Sequence, residues 1–138
     1  KLLLGGMFEV RDALPKDIQE RIKNDKRIIF TGFINGGMEY YYSLMNVYVL
    51  ASYREGFPTG VLEAQAMEKP VITTRVTCCC DSIIDGRTGL FVDIAPEDLV
   101  RKLDMIRKEN VIDGRNGRKW VVENFDSRLV WKEIEKLY

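Results

Sequence analysis

The sequence predicts an α/β fold: a mostly parallel sheet with helices on both faces. Three observations carry this. Short apolar runs rich in β-branched residues, such as Val47-Tyr48-Val49-Leu50 and Pro70-Val71-Ile72, alternate with longer segments whose apolar residues recur at helical spacing. Prolines stand at the openings of several of those segments, where a fixed φ suits a helix start. Glycine-containing turns separate the runs, as in Asp85-Gly86-Arg87-Thr88-Gly89.

In chain order, residues 1–5 read as a buried strand ending in Gly-Gly, and residues 14–24 as a helix opened near Pro15. Residues 27–31 form a second strand, and residues 38–45 a short helix that carries three consecutive tyrosines, Tyr40, Tyr41 and Tyr42. A third strand covers 47–50, a helix 58–67 and a fourth strand 71–73. One helical turn is expected within 80–84, and the Asp-Gly turn then leads into a strand over 90–92. Pro96 opens the next helix, with Glu97 and Asp98 in its first turn and Arg107 and Lys108 in its last, both favourable to the helix dipole. Its apolar stripe is Leu99, Val100, Leu103 and Ile106. Two more helices follow, over 111–124 and 127–138. In the last of these Val130, Trp131, Ile134, Leu137 and Tyr138 make a broad apolar stripe, suited either to the domain's own core or to a partner surface.

With 138 residues the chain is about one domain long, and 46% hydrophobic with 30% charged residues is ordinary for a soluble globular protein. The 21 basic and 21 acidic residues balance, so bulk charge gives no case for nucleic acid or anionic lipid as the main partner. No apolar run approaches the ~20 residues that span a bilayer, and no signal peptide is read at the start. A first residue other than Met suggests a piece of a longer polypeptide or a processed product. Histidine is absent, which removes His-based triads and most zinc sites. Cys78, Cys79 and Cys80 are adjacent, a poor arrangement for a disulfide or a metal cage, and are expected to be free thiols in a reducing compartment. No metal and no cofactor is expected.

The most informative stretch is Glu55-Gly56-Phe57-Pro58-Thr59-Gly60-Val61-Leu62-Glu63. If Pro58 is the first helical residue, the cap falls on Phe57, which has no side-chain acceptor. The N–H groups of Thr59, Gly60 and Val61 are then left open, and with the positive end of the helix they suit an anion such as phosphate. Glu63 lies about 7.5 Å further along the axis at ~1.5 Å per residue, and Glu55 stands before the helix. An anion at the tip would have one carboxylate ahead of it and one behind, the layout of a nucleotide diphosphate-sugar. Ligands of parallel sheets sit beyond the carboxyl ends of the strands, and residues 52–57 directly follow the third strand.

The ordered run from Asn46 to Thr74 resembles the donor-binding half of GT-B type retaining glycosyltransferases of the large group-one family. The parts that match are Glu55 and Glu63 with seven residues between, the small-residue helix 64–67, Pro70-Val71-Ile72, and the turn 85–89. The resemblance extends from about Leu2 to the C-terminus and is strongest to enzymes of bacterial surface polysaccharide and lipid-linked oligosaccharide assembly. It implies a Rossmann-like domain over 1–138, transfer of a sugar with retention from a nucleotide diphosphate-sugar, a UDP-sugar by analogy, and no metal. It assigns Glu55 to the donor sugar hydroxyls and to catalysis, Glu63 to the ribose, and Gly56, Phe57, Pro58, Thr59 and Gly60 to donor binding. Phe33 and Ile34 are candidate contacts to the base.

Two departures from the family pattern matter. The resembling domains begin with an earlier strand, a Gly-Arg loop and a helix. That strand lies in the centre of the usual 3-2-1-4-5-6 order, so this chain lacks its first, central strand. Either residues 2–4 move beside the third strand, or a partner fills the gap, or the chain is part of a larger polypeptide. The acceptor-binding N-terminal domain is also absent, so the chain alone should be inactive, the glycan or lipid-linked acceptor being held by that missing domain. Cys78 stands where relatives commonly place glycine, so residues 77–80 are not assigned to the donor. The expected setting is the cytoplasm, with peripheral contact at the inner membrane face for the whole protein. Two alternatives share the architecture: a non-catalytic nucleotide-sugar-binding or interaction module, and a different enzyme such as an epimerase or phosphorylase. The second meets neither a histidine nor a pyridoxal-phosphate lysine motif here.

Overall fold

The computed structural model describes residues 1–8 and 13–137. They divide into two compact units, Lys1–Tyr41 and Tyr42–Tyr138. The first contains β1 (Leu2–Gly5), α1 (Lys16–Asn24) and β2 (Ile28–Gly32). Helix α2 (Met38–Leu44) crosses the boundary. The second unit holds β3 (Tyr48–Leu50), α3 (Thr59–Ala66), β4 (Val71–Thr74), β5 (Gly89–Val92), α4 (Pro96–Glu109), α5 (Gly114–Phe125) and α6 (Ser127–Glu135).

In the first unit β1 and β2 pair in parallel, Leu2 opposite Ile28 and Leu4 opposite Phe30. Phe8 stacks on Phe30 at 4.7 Å between ring centroids. Pro15 is the residue before α1 and not its first turn, and Gln19 ties the start down by donating to the Leu14 carbonyl at 2.7 Å.

In the second unit the order is β3-β4-β5, all parallel, with Val49 opposite Ile72 and Ile72 opposite Leu90. The described strands thus form two separate ladders, and β1 pairs with β2 and not with β3. Every residue of β4 and β5 is buried, as strands covered on both faces require. Ile72, Leu90, Val92, Ile106 and Ile112 make the core, with Val47, Leu99, Leu103 and Met105 against it. Val100 is exposed and drops out of the expected α4 stripe, because Leu99, Leu103 and Ile106 already face the sheet. Gly89 is required by close approach: a Cβ there would lie 2.9 Å from the Val71 carbonyl oxygen.

Three boundaries differ from the sequence expectation. Helix α5 begins at Gly114 and not at 111, because the Asp113 carboxylate accepts from the Arg115 N–H at 3.0 Å and caps it. The helical turn expected within 80–84 lies earlier, as a 3-10 turn over Thr77–Cys79. Just past it, the Ser82 N–H and hydroxyl both donate to the Cys79 carbonyl. Helix α6 buries no residue, and Leu129, Val130, Trp131, Ile134 and Leu137 are all exposed, Trp131 by 62%; Tyr138 lies outside the described residues.

The tightest packing is between α3 and α5. Helix α3 ends in a Schellman motif: the Lys69 N–H donates to the Ala64 carbonyl and the Glu68 N–H to the Gln65 carbonyl. Glu68 occupies the left-handed position, φ 58°, that glycine usually fills. Its carbonyl then lies directly against Gly114, where an added Cβ would stand 1.9 Å from the oxygen. One turn on, a Cβ added to Gly117 would lie 3.1 Å from Gln65 Cγ.

This contact makes a paired prediction. Gly114→Ala should destabilise the protein by about 1–3 kcal/mol, because the obstacle is backbone and cannot rotate away. Glu68→Gly should leave stability unchanged or raise it by up to about 1 kcal/mol, relieving the left-handed strain at the cost of one exposed ion pair, Arg118–Glu68 at 3.9 Å. Urea midpoints of the two variants decide. A tolerated alanine or a destabilising glycine would contradict the packing described.

Candidate functional site

The segment 51–58 runs from the carboxyl end of β3 to α3 and is anchored at both ends. The Thr74 hydroxyl, at the end of β4, donates to the Ser52 carbonyl at 2.5 Å. The Phe57 ring packs against Phe125 at 5.6 Å, and Phe125 in turn meets Trp120 at 5.0 Å. Between the anchors stand Glu55, half-buried, and Gly56, exposed. The loop therefore sits at the strand edge where open parallel sheets collect ligands.

Helix α3 starts at Thr59, one residue later than the sequence suggested. Pro58 is its cap and, as expected, no side chain caps it. The open N–H groups are fewer than expected. The Thr59 N–H turns back to the Phe57 carbonyl at 2.9 Å and the Val61 N–H to the Pro58 carbonyl at 3.0 Å. The proline cannot donate and its carbonyl is turned inward, so the first turn closes on its own backbone. Of the three N–H groups expected to stay open, that of Gly60 is the one without a partner among the described residues, and it keeps the character of an anion donor.

Glu63 is exposed and its carboxylate is held. The Tyr42 hydroxyl donates to its Oε2 at 2.8 Å. Tyr42 packs edge-on to Tyr48, 5.7 Å between centroids. Tyr48 carries its hydroxyl to the first turn of α3, where a Cβ on Gly60 would be only 2.7 Å away, so Gly60 is a steric necessity as well as a donor. Burial raises the pKa of the Tyr48 hydroxyl, and the charges of Glu55 and Glu63 raise it further. Burial, followed by the hydrogen bond to Glu63, also pushes the Tyr42 hydroxyl well above its usual range, so it stays a proton donor.

Of the remaining sequence candidates, Phe33 is exposed just beyond β2 and Ile34 packs near Gly5; both belong to the first unit. Cys78 and Cys80 are exposed and Cys79 is buried, which raises the pKa of its thiol. Sequence reading missed Tyr42 and Tyr48. The run of three tyrosines was visible, but helical periodicity does not say which one meets the next strand and the helix after it.

Residues 1–109 match the family described as "Glycosyl transferases group 1". The chain is 32% identical over its full length to the capsular polysaccharide biosynthesis glycosyltransferase CapM of Staphylococcus aureus, of which it spans 37%. Among solved structures it resembles sucrose-phosphate synthase from Thermosynechococcus elongatus, with 28% identity and a TM-score of 0.80 over 99% of this chain and 37% of that one. It also resembles HepE from Anabaena in complex with UDP-glucose, with 17% identity and a TM-score of 0.85 over 98% of this chain and 39% of that one. The chain thus spans under two fifths of each of these proteins. On the family match and the shared fold, the chain belongs to the group 1 glycosyltransferases and has the Rossmann-like α/β fold of GT-B enzymes.

Proposed function

We propose that these residues are the donor-binding half of a retaining glycosyltransferase that uses a nucleotide diphosphate-sugar, a UDP-sugar in the first instance. One observation carries the reading: the loop that bears Glu55 is pinned at the carboxyl edge of the sheet by Thr74, and Glu63 on the helix that follows is held by Tyr42, with the Gly60 N–H open in the turn between them. Glu63 takes the ribose hydroxyls and Glu55 the hydroxyls of the donor sugar. The Gly60 N–H and the positive end of α3 face the diphosphate. As the bond from the anomeric carbon to the diphosphate oxygen breaks, that oxygen gains negative charge, and a fixed donor and dipole favour it more than they favour the ground state. Thr59 contributes through its side chain or not at all, its N–H being engaged. Phe57 supports the loop through its contact with Phe125, and Gly56 leaves room beside Glu55.

Support for a UDP-sugar comes from the shared fold with HepE, solved with UDP-glucose, and support for a glycan or lipid-linked acceptor from the similarity to CapM. The acceptor would be held by a domain outside this chain, and Phe33 and Ile34 remain candidate contacts to the base. No described helix is long and apolar enough to cross a membrane; a peripheral position at the inner membrane face fits a lipid-linked acceptor.

The two carboxylates are separable by experiment in the full-length protein. Glu63→Gln should weaken UDP binding about 10-fold by calorimetry with little change in melting temperature, since the side chain is exposed. Glu55→Gln should bind UDP normally and lose at least 10-fold in turnover of the UDP-sugar. Unchanged UDP affinity in the first variant, or unchanged turnover in the second, would remove that residue from its assigned place. Normal donor binding with no transfer to any acceptor would favour the non-catalytic binding module.

The exposed stripe of α6 is assigned to the acceptor-binding domain. Trp131 should be open to acrylamide quenching in this chain and shielded in the full-length protein, read in a Trp120→Phe background so that one indole reports. Equal accessibility in both would remove α6 from that interface.

A further inference from the structure

We propose that Tyr42 is a positioning residue for the nucleotide site: it holds the Glu63 carboxylate so that one oxygen is spoken for and the other is free to take the ribose. The inference rests on the assignment of Glu63 to the ribose made above.

The geometry is specific. Tyr42 lies in the last turns of α2, is 3% exposed, and sends its hydroxyl out of that buried setting to Glu63 Oε2 at 2.8 Å. Its ring is fixed by the edge-on contact with Tyr48, so the hydroxyl has no freedom to follow a wandering carboxylate. The phenol stays protonated, because burial and the neighbouring carboxylate both oppose its ionisation, and so it can only donate to Glu63. An ionised carboxylate has about four acceptor positions on its two oxygens. One donor on Oε2 leaves Oε1 unoccupied among the described residues, and leaves the charge in place. An exposed glutamate on a helix is otherwise free in several rotamers, and a ligand that must select one of them pays in affinity. Tyr42 removes that selection before the ligand arrives.

Tyr42 does not touch the reacting atoms on this account, so its effect is confined to binding through the ribose. The test is made in the full-length protein with Tyr42→Phe, which keeps the ring and its contact with Tyr48 and removes only the hydroxyl. Binding of UDP and of 2′,3′-dideoxyuridine diphosphate is measured by calorimetry, together with donor KM and kcat. UDP should bind about 3- to 10-fold more weakly in the variant, by loss of one hydrogen bond to a charged group. The dideoxy ligand, which has no hydroxyl for Glu63, should bind both proteins alike. Donor KM should rise by a similar factor with kcat within about 2-fold. A Glu63→Ala protein should show the UDP loss, and adding Tyr42→Phe to it should change nothing more.

The outcomes separate the two claims. If Glu63→Ala leaves UDP affinity unchanged, or if the native protein does not bind UDP, the ribose assignment fails and the role of Tyr42 falls with it. If Glu63→Ala weakens UDP but Tyr42→Phe does not, the positioning role alone is wrong. Equal weakening of UDP and the dideoxy ligand in Tyr42→Phe would also overturn it, since that is the mark of a general packing defect.

Discussion

The second unit depends on how tightly α3 is held. Val61, Ala64 and Gln65 are fully buried on one face of an eight-residue helix. Gln65 donates to the Val61 carbonyl within the helix and to the Ser82 carbonyl beyond β4, which fastens α3 to the turn after the cysteines. On the other side the Glu68 carbonyl fits against Gly114 with no room for a methyl group. A helix so short has little stability of its own, and tertiary packing must supply it. The same packing fixes where its first turn points and where Glu63 emerges.

Two glutamates of the same chemical type are thereby given different surroundings. Glu63 is exposed but restrained by a buried phenol. Glu55 is half-buried in a loop pinned by Thr74 and Phe57, and no side chain hydrogen-bonds it among the described residues. A restrained carboxylate suits recognition of a fixed diol, where preorganisation lowers the ordering cost of binding. An unpartnered one suits a sugar whose charge changes during reaction, because its interaction with the donor can strengthen toward the transition state. On the proposed roles, the division of labour between the two glutamates would follow from packing, and not from the identity of the acids.

Much of this was legible in the sequence. The cores of β4 and β5 were, because runs such as Val71 to Thr74 have one stable place, inside a parallel sheet, whereas β1, expected to be buried, has no buried residue. So was the order of elements, and the pair Glu55 and Glu63 with its position beyond the third strand. The helix start was misread by one residue. Proline favours both the cap and the first turn, and only the backbone shows that Pro58 is the cap and that Thr59 and Val61 have closed their own donors. The short turn expected within 80–84 lies a few residues earlier, over Thr77–Cys79. Tyr42 was hidden for a different reason: its partner lies 21 residues away on another helix, and no local pattern encodes such a pairing.

The central claim is that Glu63 reads the ribose of the donor while Tyr42 holds it. A crystal structure of the full-length protein with UDP tests it most directly. The account predicts one Glu63 carboxylate oxygen within about 2.6–3.2 Å of a ribose hydroxyl while the other keeps its bond to Tyr42, and the diphosphate at the Gly60 N–H. A ribose bound away from Glu63, or a Glu63 that has left Tyr42 to reach it, would contradict the account.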